Sequence, residues 1–204
     1  NILAISRDIK LIDPKNGYPN NLLALDQSSL TDLGRKYINE TKWARSSKPF
    51  FIDKMPNNFV HIGLIKLILP KAKIIDARRN PMDACFSCFK QYFAKGQHFT
   101  YDLDDIARYY KDYIRLMDYW KKLFPNEIFT INYEDIINNP KERIKDLLEF
   151  CNVEFEENCL NFHQSKRPVK TASSEQVRQP MYKTGLDYWK NYANHLETLI
   201  KHFP

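Results

Sequence analysis

The sequence predicts an α/β protein in which a parallel sheet is flanked by helices on both faces. Three observations carry that prediction. Strand, turn and helix patterns alternate along the chain; each predicted strand ends in polar residues capable of chemistry; and 204 residues with 43% hydrophobic and 14% aromatic content suffice for one ordinary domain with a substantial core. Alternating strands and helices build βαβ units, whose strands run parallel and whose ligands bind beyond the carboxyl ends of the strands. The 31 Lys+Arg against 25 Asp+Glu leave a net charge of +6. That mild excess, spread without a dense cluster, suits an anionic ligand and argues against a nucleic-acid partner. The most apolar stretch, Ile62 to Leu69, is too short to cross a bilayer and is interrupted by Lys66, so no membrane span is expected.

Residues 1–48 read as a helical, loop-rich lead-in to the same domain that occupies 49–204. Turn signals fall at Asp13-Pro14, Asn16-Gly17 and Pro19-Asn20, and one helix is expected from Ser29, as a serine cap, to Glu40. Phe50 to Asp53 reads as a short buried strand, followed by a helix from about Asn58 to Leu69. Ile74 to Arg78 is a second strand, and Asn80-Pro81 starts another helix. Asp102 to Leu123, with Leu103, Ile106, Tyr110, Ile114 and Met117 at helical spacing, is an amphipathic helix whose aromatic stripe is core. Glu127 to Asn132 is a third strand; Tyr133 opens a helical turn, and Pro140 begins a helix to about Cys151. A loop from Arg167 to Tyr182 and a final helix, Leu186 to Phe203, close the chain.

Cys85, Cys88, Cys151 and Cys159 are too few for a disulfide scaffold and read as reduced thiols, which suits a cytoplasmic protein. Cys85-x-x-Cys88 has no second pair at metal spacing, so no metal is expected. The first residues lack both an initiating Met and the order of a secretory signal, so the chain reads as part of a longer one. Asn39-Glu-Thr41 fits a glycosylation sequon that no such signal supports.

Three constellations lie at predicted strand ends. In the first, Asn80 can cap a helix, Pro81 suits its first position and Asp83 stands where a capping-box acid would, leaving Arg79 just outside the helix N-terminus. Helix N-termini attract anions, and the Ser87 hydroxyl two turns in can share one phosphate with the Arg79 guanidinium. A capped helix with a surface arginine is an equally good reading of the spacing. In the second, Lys54 ends a strand where it can neutralise negative charge in the crevice, with Asp53 as a potential partner. In the third, the Tyr133 ring can stack on a nucleobase or belong to the core.

The segments Asp53 to Phe59, Ile74 to Ser87, Asn132 to Ile136, Thr171 to Arg178 and Tyr188 to Tyr192, in that order and spacing, resemble successive blocks of the PAPS-dependent sulfotransferases, where PAPS is 3′-phosphoadenylyl sulfate. The similarity is closest to the bacterial domains that often follow tetratricopeptide repeats, akin to tyrosylprotein sulfotransferases. It implies a P-loop-like fold and PAPS as co-substrate without a metal, with Arg79 and Ser87 on the 3′-phosphate, Tyr133 beside the adenine and Lys54 facing the sulfuryl group. It also implies that Ser173 approaches the bridging oxygen and that Arg178 reaches a nucleotide phosphate. The acceptor would be a hydroxyl of a small molecule, glycan or protein, and tetratricopeptide repeats would be possible upstream neighbours.

The family's glycine-rich phosphosulfate loop and first strand match nothing in these residues, which places both upstream and makes this chain alone inactive. Pro56 stands where cytosolic sulfotransferases carry a histidine, so the general base is also expected upstream; His61 is a fallback that reads better as a packed or surface residue. Competing readings are a phosphate-transferring P-loop enzyme, which would need a Walker lysine, and a catalytically inactive nucleotide-binding or protein-interaction domain of the same descent.

Overall fold

A computed structural model describes residues 2–12, 16–165, 175–181 and 184–204. The chain divides into two compact units, 1–72 and 73–204.

The first unit is helical. It comprises α1 (Ile2–Ile12), α2 (Gln27–Glu40) and α3 (Ile62–Ile68). Ile2, Ile5 and Ile9 on α1 and Leu30, Leu33 and Tyr37 on α2 recur at three- and four-residue intervals, so each set forms one stripe, and the stripes close on Leu64 and Ile68 of α3. The cap of α2 differs from the expected one: Asp26, not Ser29, begins the helix, its carboxylate accepting the Ser29 N–H at 2.8 Å. The expected helix over 58–69 is a 3-10 segment from Pro56 to His61 that becomes α-helical only in the apolar run of α3.

The expected strand at Phe50–Asp53 does not form. Phe50 and Ile52 are 64% and 89% exposed, because a strand buries alternate side chains only when a ladder partner supports it, and among the described residues the sheet offers none here. Asp53 is anchored through its side chain instead, by the Tyr37 hydroxyl at 2.6 Å.

The second unit holds the sheet: β1 (Ile74–Arg78), α4 (Pro81–Lys90), α5 (Leu103–Leu123), β2 (Ile128–Asn132), α6 (Tyr133–Asn138), α7 (Pro140–Phe150) and α8 (Glu197–His202). β1 and β2 pair in parallel, from Ile74 opposite Ile128 to Arg78 opposite Asn132, so both carboxyl ends and the residues after them emerge side by side. Parallel strands need a long crossover, which α4 and α5 supply. Alternation sends Asp76 and Thr130 to one face, where the Tyr113 hydroxyl of α5 donates to Asp76, and sends Phe129 to the other, where it lies 5.3 Å from the Phe150 ring of α7. Helices therefore cover both faces.

The buried Asp76 carboxylate also accepts from Arg78 Nε at 2.7 Å and stands 3.4 Å from Lys121 Nζ, so its charge is fully compensated. The core of this unit joins Met82, Cys85 and Phe86 of α4 to Ile106 and Ala107 of α5 and to Leu196 and Leu199.

The expected final helix is likewise divided, into a 3-10 segment from Tyr188 to His195 and α8. Its start is displaced because Asp187 adopts a left-handed conformation, φ 56°, and its N–H is bonded outside the segment. Among the described residues no helix is long and apolar enough to cross a membrane.

Candidate functional site

The chemistry gathers in the second unit, where β1 and β2 end. Asn80 caps α4 as its side-chain oxygen accepts the N–H groups of Met82, at 2.9 Å, and Asp83, at 3.4 Å; Pro81 follows at the first helical position. The reciprocal half of the expected capping box is absent. Glu134, on α6 directly after β2, takes the Asn80 N–H with its Oε1 at 2.8 Å, so Asp83 does not turn back to the cap. Its buried carboxylate crosses instead to the chain after the last loop, where Oδ2 accepts the Asp187 N–H at 2.9 Å and Oδ1 the Trp189 N–H at a longer 3.4 Å.

Arg79 sits at the centre of these contacts. Its carbonyl accepts from the Tyr110 hydroxyl at 3.0 Å, and burial and then the nearby Cys85 push that hydroxyl up to about 12, so it is a donor at neutral pH. The guanidinium carbon lies 5.5 Å from the centre of the Tyr133 ring, Nη2 donates to the Gly185 carbonyl, and Nη2 stands 3.8 Å from Asp83 Oδ1. Nε is buried and has no hydrogen-bond partner. A guanidinium held against an aromatic face at the N-terminal end of a ten-residue helix is suited to a phosphate beside a planar ring.

Of the residues the sequence nominated, Arg79 and Tyr133 are brought into contact. Ser87 is exposed one turn beyond Asp83 on α4, and Arg178 is exposed at the end of a short 3-10 segment. Ser173 lies outside the described residues. Lys54, in the first unit, is exposed, and Asp53 pairs with Tyr37 and not with it. His61 is a packed residue: 6% exposed, its Nδ1 2.9 Å from the Tyr18 hydroxyl, its pKa lowered by burial. Burial, and then Cys88, raise the Cys85 thiol to about 12, which makes it inert at neutral pH. Among the described residues no group of three or more His, Cys, Asp or Glu could hold a metal ion.

Sequence reasoning placed Asp83 only as a capping-box acid and Glu134 only at a strand end, and it missed the long-range bonds of both and the part of Gly185 in this corner. A capping acid four residues from an arginine was the available signal for Asp83. The other two come from chain segments 50 or more positions away, which local spacing does not reveal.

A model described as the sulfotransferase family matches residues 8–157. A protein from Aquifex aeolicus (strain VF5), described as uncharacterized, is 36% identical over 193 residues, covering 93% of this chain and 25% of its own length. The chain thus spans about a quarter of that relative. Among solved structures, a sulfotransferase domain from the curacin biosynthetic pathway superimposes with a TM-score of 0.54 at 16% identity, over 81% of this chain and 68% of that one. That likeness is one of fold, a P-loop-like α/β fold with a parallel sheet.

Proposed function

Since the chain belongs to the sulfotransferase family, we propose that it serves the transfer of a sulfuryl group from PAPS to a hydroxyl acceptor, with this second unit holding the nucleotide. One observation carries the reading: the Arg79 guanidinium, held by the Gly185 carbonyl and lying over the Tyr133 ring, stands at the N-terminus of α4 beside the ends of two parallel strands. Its buried, unpartnered Nε is a further donor in a place where an anion would satisfy it.

In this reading Arg79 binds the 3′-phosphate, joined by the Ser87 hydroxyl, and Tyr133 lies by the adenine. Arg178 reaches a second phosphate. Lys54 and Ser173 act at the sulfuryl end. PAPS supplies a sulfuryl group whose in-line transfer, like phosphoryl transfer, builds negative charge on the leaving bridging oxygen. Donors fixed at that oxygen then suffice without a metal. The general base is assigned to a segment outside this sequence.

The test is calorimetric titration with 3′-phosphoadenosine 5′-phosphate, on this chain and on a longer polypeptide carrying the upstream coding sequence. Binding weakened by about 1.5 to 3 kcal/mol in Arg79→Ala, the worth of a hydrogen bond to a charged group, is the expected result. Equal affinity in the variant removes Arg79 from the site. No binding by either polypeptide overturns the assignment in favour of a domain that has lost nucleotide chemistry.

A further inference from the structure

We propose that Asp83 is a positioning residue: its buried carboxylate clasps the segment from Thr184 to Trp189 against α4 and thereby fixes the Arg79 guanidinium in its phosphate-facing orientation. The proposal rests on the nucleotide reading of Arg79 given above.

A carboxylate beside an anion site opposes the anion by its charge, so its presence there calls for a compensating role. Asp83 is 3% exposed and lies in the first turn of α4, where a negative charge favours the helix N-terminus. It accepts no hydrogen bond from its own cap. It takes two backbone N–H groups from Asp187 and Trp189, more than a hundred residues later in the chain. The first of these amides belongs to a residue in the left-handed region, φ 56°, a conformation in which aspartate is enriched among non-glycine residues.

Trp189 packs against the Met82, Cys85 and Phe86 cluster, so the far end of the strap is fixed in the core. Its near end is Gly185, whose carbonyl receives Arg79 Nη2. The guanidinium is therefore confined by three groups: the Gly185 carbonyl, the Asp83 carboxylate at 3.8 Å and the Tyr133 face at 5.5 Å. Two of the three depend on Asp83, one directly and one through the strap. Loss of the carboxylate releases both together and leaves the arginine the rotamers of a surface side chain.

The experiment uses the wild-type chain, Asp83→Asn, Asp83→Ala and each of these combined with Arg79→Ala. Amide exchange followed by NMR reads the clasp without any nucleotide. Exchange at Asp187 and Trp189 is expected to rise about tenfold or more in Asp83→Ala, with α5 unchanged, and less in Asp83→Asn, which keeps one acceptor oxygen. Calorimetry with 3′-phosphoadenosine 5′-phosphate and with adenosine 5′-phosphate reads the consequence. Asp83→Asn is expected to weaken the first about tenfold and the second hardly at all, and the effect is expected to vanish in the Arg79→Ala background.

Unaltered exchange at both amides overturns the clasp. An equal loss for the two ligands, or a loss that persists without Arg79, overturns positioning in favour of a merely structural role. Absence of 3′-phosphate discrimination in both the wild-type chain and the longer polypeptide is a different result: it removes the nucleotide reading and with it the positioning of Arg79, while the exchange data still decide whether Asp83 clasps the strap.

Discussion

Lys54 illustrates how a single residue can be positioned without regular secondary structure. No strand carries it, yet the chain just before it is pinned where the Asp53 carboxylate accepts the Tyr37 hydroxyl at 2.6 Å. Tyr37 is itself buried on α2, and burial and then the Asp53 bond hold its hydroxyl well above the usual tyrosine range, so it stays a donor at any pH the protein meets. The side chain of Lys54, the residue after Asp53, is exposed. If it faces the leaving oxygen, as we propose, its charge matters more in the transition state than in the bound ground state, and its loss should fall on kcat more than on KM. Lys54→Met in a polypeptide with PAPS-dependent transfer activity is expected to lower kcat roughly 100- to 1000-fold, the effect of losing one preorganised donor. An unchanged kcat would deny the lysine that role.

At the scale of elements, the contact of α2 with α3 turns on Gly34. A Cβ there would sit 2.1 Å from the Ile68 carbonyl oxygen, a backbone atom that cannot rotate aside. Alanine is intrinsically better in a helix than glycine by about 1 kcal/mol, but separating two packed helices costs about 1 to 3 kcal/mol, so packing outweighs propensity. The 2.1 Å approach to a backbone atom puts the cost in the upper part of that range, so Gly34→Ala is expected to lower unfolding stability in urea by about 1 to 2 kcal/mol; a variant as stable as the parent would mean that separating the helices costs no more than the propensity gain. Such an approach was not legible in the sequence, where Gly34 is only a weak point in a helical pattern. The elements with strong local signals were legible: the apolar stripe of α5, the Pro81 entry to α4, and both paired strands to within one residue. Phe50 to Asp53 failed because apolar content marks strand propensity but cannot supply a partner. The site divided in the same way: Arg79 and Tyr133 are marked by local motifs, whereas the Asp83 clasp and the Glu134 cap are long-range bonds that only the folded chain creates.

Stability as a function of pH sums over the whole molecule, and among the described residues a buried histidine and two hydrogen-bonded carboxylates contribute in separate windows. His61 is buried beside Tyr18 with its pKa held below the ordinary histidine value near 6.5. The unfolded chain therefore takes up a proton that the folded one resists. This leaves stability unaffected well above pH 6.5 and erodes it as pH falls below, by at most about 1.4 kcal/mol per unit until the folded form also protonates. Asp26 and Asp104 act later. The Ser29 bond at the α2 cap lowers the first, and the His202 bond between α5 and α8, followed by the charge of Arg108, lowers the second. Their contribution is present above the ordinary carboxylate range, about pH 4, and is lost as pH falls through their depressed folded values. Each carboxylate that protonates also adds to a net charge already at +6, so self-repulsion steepens the acid limb. Urea unfolding at intervals from pH 7.5 to 3 should then show a shallow decline beginning near pH 6.5 and a steeper one below about 4. His61→Gln, which keeps a side-chain oxygen able to accept from the Tyr18 hydroxyl, should flatten the first decline and leave the second in place. If the variant retained the slope between pH 6.5 and 5, the proton taken up in that window would belong to another group and the buried histidine would have no part in the acid response.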